Sequence, residues 1–353
     1  MDNRRSNNPQ KKLLYDVSII RPLIITMLVL LHSFTKIAHG GGYDNDYQLV
    51  DGYQYFAWLI QGFRVETIAL IAGYVFSYQS YALGRSYRFW PFVWKKFKRL
   101  IIPMLVFGTV YYFLFLNTAD TFSAKEFIVK LLSGCGHLWF LPMLFWCFIF
   151  IWMVDHFKLN SWWLLGVLAL VSVLPPPGLP LGFSRLPHFV FYVYGGYFLW
   201  IKRDGLFKHC LSWKWIVPLW VLYVLLVVVS HAVVPEVADT MGRLGKAILL
   251  ELSRVLKLLM AVCGIMALYL SVCSVTTKEG YKPKSWIVSA SDNCYGVYVY
   301  HQFVLVLLYF FTPFVSVVHP LLVPWIGFVV IMAVSLLLTC LTLKTKLGKF
   351  LIG

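Results

Sequence analysis

The sequence predicts an all-α, polytopic integral membrane protein: a bundle of about ten transmembrane helices with both termini in the cytoplasm. Three observations support this fold class. Hydrophobic residues make up 60% of the 353 residues and charged residues only 13%, whereas soluble domains are about half apolar and a quarter charged. Apolar segments of roughly 20 residues, the length that crosses a bilayer as a helix, recur along the whole chain. Finally, the cations are concentrated in alternate connections between these segments.

Ten apolar segments are predicted to span the membrane. They lie near residues 17–37, 55–79, 100–117, 137–154, 162–177, 186–201, 215–231, 247–273, 288–311 and 321–343. The fifth and sixth are the least distinct, because three consecutive prolines, Pro175 to Pro177, end one helix shortly before the next begins. The sequence contains no soluble domain and no repeat of fixed period. A single transmembrane domain is therefore predicted over residues 1–353.

The distribution of Lys and Arg predicts the orientation. The chain has 31 of these cations against 15 Asp and Glu, a formal net charge of +16. Most lie in the N-terminal tail of residues 1–16, in the connection of residues 80–99, in every second connection after it, and in the C-terminal tail. Because cytoplasmic loops are enriched in Lys and Arg, both termini are predicted to be cytoplasmic. We therefore expect the excess positive charge to lie at the surface of the lipid bilayer, and nucleic acid is not an expected partner.

Ionisable residues within the predicted spans are the main candidates for function. A charged side chain in the middle of a span costs at least ~2.5–3.5 kcal/mol, so it normally faces a polar cavity or a partner. The candidates are Arg21 and His32 in the first span, Arg64 and Glu66 in the second, Glu251, Arg254 and Lys257 in the eighth, and Asp292 and His301 in the ninth.

Arg21 and His32 stand eleven residues apart in the first span. On one helix they are separated by roughly 16 Å along the axis and share nearly the same face. An imidazole exchanges a proton near neutral pH, and a guanidinium holds an anionic or carbonyl group. Two interpretations stay open. The residues either form a catalytic pair in a polar chamber, or they are a histidine satisfied by a neighbouring helix and an arginine that reaches the interface.

Glu66 and Arg254 are candidate substrate-binding residues with structural alternatives. Glu66 can simply neutralise Arg64, and the residues alone favour that interpretation. Arg254 follows Glu251 by three residues, a spacing at which the two side chains can pair on a helix surface. The functional alternative for Arg254 is a cation-lined cavity that accepts the phosphate of a sugar or lipid.

The connection before the third span is rich in both cations and aromatic residues between Arg85 and Arg99. Such a composition is typical of an interfacial segment. It either fixes the topology through contact with anionic lipid or binds the phosphates of a nucleotide-bearing donor. The donor-binding candidates are Lys95, Lys96, Lys98 and Arg99.

Five motifs can be compared with known families. They are Arg21 and His32 with ten residues between them, Val65 to Tyr74, Lys96 to Pro103, His137 to Pro142, and Tyr295 to His301. Together they resemble the motifs of the integral membrane acyltransferase family 3, which includes bacterial O-acetyltransferases of lipopolysaccharide and other surface glycans. Lys96 stands where that family has an arginine, and Leu144 where one of its branches has a glutamate.

The resemblance implies a reaction. An acyl group, most often acetyl from cytoplasmic acetyl-CoA, is delivered to a hydroxyl of a cell-surface or lipid-linked glycan. His32 is then the catalytic base or a transient acyl carrier, with Arg21 as its essential partner. Lys96 and Arg99 lie in the donor-binding motif. Acyl-CoA, a membrane-associated glycan and the bilayer are the implied partners, and no metal is implied.

The resemblance also implies a multi-pass protein of the bacterial cytoplasmic (inner) membrane. His301 and Glu66 match motif positions of the family, and both are candidate substrate-binding residues. The main alternative is a transporter or flippase for a glycolipid or polysaccharide precursor, because buried Arg, Glu and His also line substrate pathways in carriers. Many carriers contain inverted repeats, and none is visible in this sequence. A non-catalytic scaffold is a third possibility.

Overall fold

The computed structural model describes residues 14–34, 50, 52–116, 122–175, 179 and 181–353. These residues form helices and their connections, and the described part contains no strand. The predicted all-α fold class is therefore confirmed. Of the predicted N-terminal tail, only residues 14–16 belong to the described part.

The α-helices of the described part follow in chain order. They are α1 Tyr15–Phe34, α2 Tyr53–Gln61, α3 Arg64–Ser77, α4 Phe89–Lys96, α5 Ile102–Tyr111, α6 Ala124–Leu132, α7 Phe140–His156, α8 Trp162–Ser172, α9 Leu186–Cys210, α10 Trp213–Val228, α11 Val234–Thr240, α12 Arg243–Thr276, α13 Ser285–Phe310, α14 Phe314–Val317, α15 Val323–Thr342 and α16 Lys346–Ile352. Helices α3, α4, α5 and α10 continue into the π-helical turns Tyr78–Ala82, Phe97–Ile101, Tyr112–Leu116 and Val229–Val233.

Each of the ten predicted spans overlaps with helix in the structure. Within the described part, seven helical segments are long and apolar enough to cross a membrane. They are Tyr15–Phe34, Tyr53–Ala82, Phe89–Leu116, Gly136–His156, Trp213–Thr240, Arg243–Thr276 and Val323–Thr342. Helix α8, the fifth predicted span, is apolar but shorter. The polytopic helical bundle is thus confirmed, whereas the count of ten spans and the side of the termini stay predictions.

The third span begins earlier than its hydropathy suggests. Helix α4 starts at Phe89 and runs through the π-helical turn Phe97–Ile101 into α5. Lys and Arg are good helix formers, but they lower the hydropathy, so the sequence marks only the apolar part of this helix. Of the predicted connection of residues 80–99, the segment from Phe89 onward is therefore helical.

The second span is interrupted in its first half. Helix α2 ends at Gln61 and α3 begins at Arg64, and Phe63 between them has φ −148° and ψ −2°, outside the helical range. In a membrane, backbone groups released by such a break are tolerated only where protein covers them or a polar cavity receives them. Side chains of the bundle bond to the released carbonyl groups of Leu59 and Gln61.

Helix α1 packs against α3, α12, α13 and α15, and α3 packs along α9. The contact between α3 and α9 is made backbone to backbone. A Cβ atom at Gly73 would overlap the carbonyl oxygen of Val193, and one at Gly196 would overlap that of Leu70. Small residues allow transmembrane helices to approach this closely. The pair of glycines thus fixes how α3 and α9 face each other.

Candidate active site

A cavity of about 490 Å³ lies between α1, α3, α4, α7 and α13, within the usual size range of small-molecule sites. Its polar lining is strongly cationic, with four basic side chains and one carboxylate, Asp292. The basic residues are Arg21, Lys95, Lys96 and Arg99. The remaining wall is largely apolar and includes Ile24, Ile71 and Leu141. The cavity therefore combines a cationic region with an apolar one.

Three of the four predicted donor-binding residues share the cavity. Lys95, Lys96 and Arg99 line the cavity, whereas Lys98 does not. The Nζ atom of Lys96 lies 3.3 Å from the centre of the Phe148 ring, and that of Lys98 lies 6.0 Å from the centre of the Trp94 ring. Because the segment from Phe97 is a π-helical turn, these side chains follow a wider register than in an α-helix.

Arg21 and His32 both face α13. Arg21 lines the cavity together with Asp292 and Cys294 near the start of α13, and His32 contacts His301 further along it. The two helices thus run side by side in the same direction, and the predicted common face of Arg21 and His32 is turned into the bundle. Arg21 lines the cavity, while His32 is not part of its lining.

His32 and His301 form a stacked and hydrogen-bonded pair. Their ring centroids are 5.1 Å apart at an interplanar angle of 15°, and Nδ1 of His32 lies 2.9 Å from Nε2 of His301. His301 is fully buried, whereas His32 is partly exposed. The Nδ1 atom of His301 lies 2.7 Å from the carbonyl oxygen of Tyr298 and 3.3 Å from that of Val297.

These contacts define the protonation of two neutral imidazoles. A carbonyl oxygen only accepts hydrogen bonds, so Nδ1 of His301 carries the proton and donates it to Tyr298. Its Nε2 is then an acceptor, and Nδ1 of His32 must be the donor. These two hydrogen bonds leave the lone pair of the His32 ring on Nε2. That nitrogen can take a proton or attack a carbonyl carbon.

Tyr298 connects the cavity with the histidine pair. Its side chain lines the cavity, and its carbonyl oxygen accepts the hydrogen bond from His301. Its hydroxyl donates to the carbonyl oxygen of His137 at 2.6 Å. His137 in turn packs edge-on against His301, with ring centroids 4.9 Å apart. The sequence patterns drew attention to Tyr298 and His137 only as motif members, because their contacts join segments far apart in the chain.

The remaining predicted site residues lie elsewhere. Glu66, in the first turn of α3, has Oε1 3.6 Å from Nε2 of His188 on α9, and His188 carried no signal in the sequence. Arg254 pairs with Glu251 on α12 and does not line the cavity. The role of Arg254 in substrate binding stays a prediction.

Comparison with known families covers nearly the whole chain. A family model described as an acyltransferase domain matches residues 14–344. The matched region contains every residue that lines the cavity and both members of the histidine pair. Searches of the curated proteins and of the solved structures find no match.

Proposed function

The chain belongs to acyltransferase family 3 and is a membrane acyltransferase, and from this premise we propose that it moves an acyl group, acetyl from acetyl-CoA, to a hydroxyl of a cell-surface or lipid-linked glycan. One observation carries the choice of donor and mechanism: Tyr298 belongs both to the wall of the cationic cavity and to the hydrogen-bond chain of the histidine pair. This shared residue supports a donor bound in the cavity on the side of the histidine pair.

The cationic part and the apolar part of the cavity each suit one part of the donor. Acetyl-CoA joins a phosphate-bearing nucleotide to a long, flexible thiol arm. Arg21, Lys96 and Arg99 offer charge-assisted hydrogen bonds to phosphates, and the apolar wall at Ile71 and Leu141 accommodates the arm. Arg21 serves the donor in this proposal, since it lies about three helical turns, roughly 16 Å, from His32 along α1.

His32 is the proposed catalytic base. Its Nε2 removes the proton from the acceptor hydroxyl while the hydroxyl oxygen attacks the thioester carbonyl carbon. The resulting tetrahedral intermediate expels the thiolate as the C–S bond breaks, and the His32 imidazolium returns the proton to the sulfur. An ester and free CoA are the products. A positioned general base typically contributes about 10²- to 10⁴-fold to such a step.

His301 is a positioning residue in this scheme. It accepts the Nδ1 proton of His32 in a hydrogen bond, which keeps the lone pair on Nε2, and it stabilises the imidazolium that forms during the reaction. A group in this place orients the base without exchanging a proton with the substrate. The carbonyl oxygen of Tyr298 holds His301 in the required tautomer.

The proposed location is the bacterial cytoplasmic membrane, and the distribution of cations supports an orientation with the cationic cavity toward the cytoplasm. In that orientation the end of α1 that carries His32 lies toward the outer leaflet. A cytoplasmic donor and an outward-facing glycan would then approach the histidine pair from opposite sides.

A transporter or flippase for a glycolipid precursor is the alternative to test. Protein reconstituted in liposomes is given acetyl-CoA labelled in the acetyl group, together with glycolipid from a glycan-producing bacterium. The acyltransferase consumes the thioester and moves the label to the glycolipid, and His32→Ala abolishes both. Movement of the glycolipid across the bilayer without thioester consumption would refute the proposal.

A further inference from the structure

A second polar cluster lies at the break between α2 and α3. It consists of Arg64, Glu66, His188 and Tyr192, and we call it the helix-break cluster. We propose that the helix-break cluster binds the hydroxyl groups of an uncharged sugar ring, and that it is the acceptor side of the active site. This inference rests on the proposed acyl transfer, because it names the class of acceptor for that reaction.

The cluster surrounds backbone that has left its helix. The hydroxyl of Tyr223 donates to the carbonyl oxygen of Leu59 at 2.5 Å, and Nη1 of Arg64 lies 3.4 Å from the carbonyl oxygen of Gln61. Side chains thus satisfy carbonyl groups that the interrupted helix releases. A broken helix at membrane depth is tolerated where it is covered by protein or lines a polar cavity.

Three buried polar atoms of the cluster lack a hydrogen-bond partner among the described residues: Nε of Arg64, Oε2 of Glu66 and the hydroxyl of Tyr192. Tyr192 is fully buried, with 1% of its surface exposed, and its ring packs edge-on against that of His188, with ring centroids 5.2 Å apart. The other oxygen of Glu66 lies 3.6 Å from Nε2 of His188, which is longer than a hydrogen bond. Buried polar groups are normally satisfied, so this group of unsatisfied atoms points to a ligand.

The chemistry of the unsatisfied atoms selects an uncharged polyhydroxylated ligand. The Glu66 oxygen accepts hydrogen bonds, the Arg64 nitrogen donates, and the Tyr192 hydroxyl does either. Neighbouring hydroxyls on one ring both donate and accept, so they can satisfy all three atoms. An ionised carboxylate could accept from Arg64 but could not donate to the Glu66 oxygen, and an aliphatic chain would leave every atom unsatisfied.

Arg64 places the cluster toward the end of α1 that carries His32, the opposite end from Arg21. The Arg64 guanidinium lies within electrostatic range of both His32 and His301. Glu66 and His188 are partly exposed, so a ligand can reach them. The close approach of α3 and α9 at Gly73 and Gly196 holds the two sides of the cluster in place. The proposal thus assigns the sugar ring to the His32 side of the bundle and the donor to the Arg21 side.

Direct binding tests the cluster without requiring turnover. Radiolabelled octyl β-D-glucopyranoside is bound to the full-length protein in lipid nanodiscs and displaced by octyl β-D-glucuronide or 1-octanol. We expect the neutral glucoside to bind more tightly than either competitor. Loss of a hydrogen bond to a charged group should weaken glucoside binding by about tenfold or more in Glu66→Gln, with a smaller loss in the nearly isosteric Tyr192→Phe. Glu126→Gln, which removes an exposed carboxylate paired with Lys130 on α6, is the matched control and should bind as the wild type does.

Glucoside binding that is equal in wild type and Glu66→Gln, or tighter binding of the glucuronide, would overturn the inference and return Glu66 to the role of neutralising Arg64. Thermal unfolding of each variant identifies a folding defect, and binding by Tyr192→Phe decides the question if Glu66→Gln unfolds. Consumption of acetyl-CoA is measured on the same samples. Its absence in the wild type would refute the acyl-transfer proposal, whereas the binding result would still decide whether the cluster holds a sugar.

Discussion

The Nδ1 atom of His32 lies 2.9 Å from the Nε2 atom of His301, although the two residues are far apart in the chain. The contact exists because α1 and α13 run side by side in the same direction. With the Tyr298 carbonyl as the terminal acceptor, the bond between the two rings runs from Nδ1 of His32 as donor to Nε2 of His301 as acceptor. This direction leaves the lone pair of the His32 ring on Nε2.

Substitution of His301 should separate positioning from packing. His301→Phe keeps a ring of similar size but cannot accept the Nδ1 proton of His32, so we expect kcat to fall by about 10²-fold, within the range of a lost general base. His301→Gln retains an acceptor and a donor and should recover part of that loss. Initial rates of acetyl-CoA consumption in liposomes give kcat and the KM for the donor, which should change little.

The matched control for His301 is Tyr300→Phe. Tyr300 precedes His301 on α13, but its hydroxyl contacts Thr342 of α15 instead, with 2.7 Å between the oxygens. We expect the kcat of the Tyr300→Phe variant to stay near that of the wild type. Equal losses in His301→Phe and His301→Gln would show that the hydrogen bond to His32 does not matter.

His32→Ala and Arg21→Ala should each abolish acyl transfer while the protein still inserts and accumulates. His32→Ala removes the base, and Arg21→Ala removes a cation from the donor cavity. We expect transfer to fall by at least about 10²-fold in His32→Ala. Label transfer from acetyl-CoA and membrane abundance are measured together. His319→Ala, at an exposed position before α15, is the control, and wild-type transfer by His32→Ala would eliminate the mechanism.

Much of the fold and part of the site could be predicted from the sequence. The length of the apolar segments identified the helices, because a segment that crosses lipid must satisfy its own backbone hydrogen bonds. The spacing of Arg21 and His32 predicted a common face, and both residues meet α13. The sequence did not predict that Lys98 turns away from the cavity, because that depends on the early start of α4 and on the π-helical turn.

The helix-break cluster could not be predicted from local patterns. His188 and Tyr192 lie in α9, and His188 lies opposite Glu66 only because Gly73 and Gly196 let α3 and α9 touch. No periodicity in either segment encodes that pairing. The role of Glu66 could therefore be stated only as an alternative until its neighbours were known.

Charge reversal along the third span should distinguish donor binding from topology. Lys96→Glu and Arg99→Glu place a carboxylate in the cavity, and we expect each to raise the KM for acetyl-CoA by about tenfold or more, the effect of losing a charge-assisted hydrogen bond. Lys98→Glu changes the same charge on the same helix but outside the cavity lining. The KM of the Lys98→Glu variant for acetyl-CoA should therefore shift much less.

The comparison is made at equal membrane abundance, with steady-state rates over a range of acetyl-CoA concentrations. The same KM in all three variants would contradict a donor-binding role. In that case the segment would serve the orientation of the protein through anionic lipid.

Adjacent glycines on α9 should differ sharply in their tolerance of alanine. A Cβ atom at Gly196 overlaps the backbone of α3 at Leu70, whereas at Gly195 it meets nothing within 4 Å. Gly196→Ala must push α3 and α9 apart, and overpacking of this kind typically costs about 1–3 kcal/mol. Gly195→Ala should be neutral or slightly stabilising, because alanine favours a helix over glycine by up to about 1 kcal/mol.

Thermal unfolding in detergent measures both glycine variants. We expect a lower Tm for Gly196→Ala and an unchanged or higher Tm for Gly195→Ala. Separation of the helices would also draw His188 away from Glu66, so Gly196→Ala should weaken glucoside binding more than it weakens acetyl-CoA binding. Equal stability of the two variants would mean that α3 and α9 do not touch at this point, and it would remove the packing basis of the helix-break cluster.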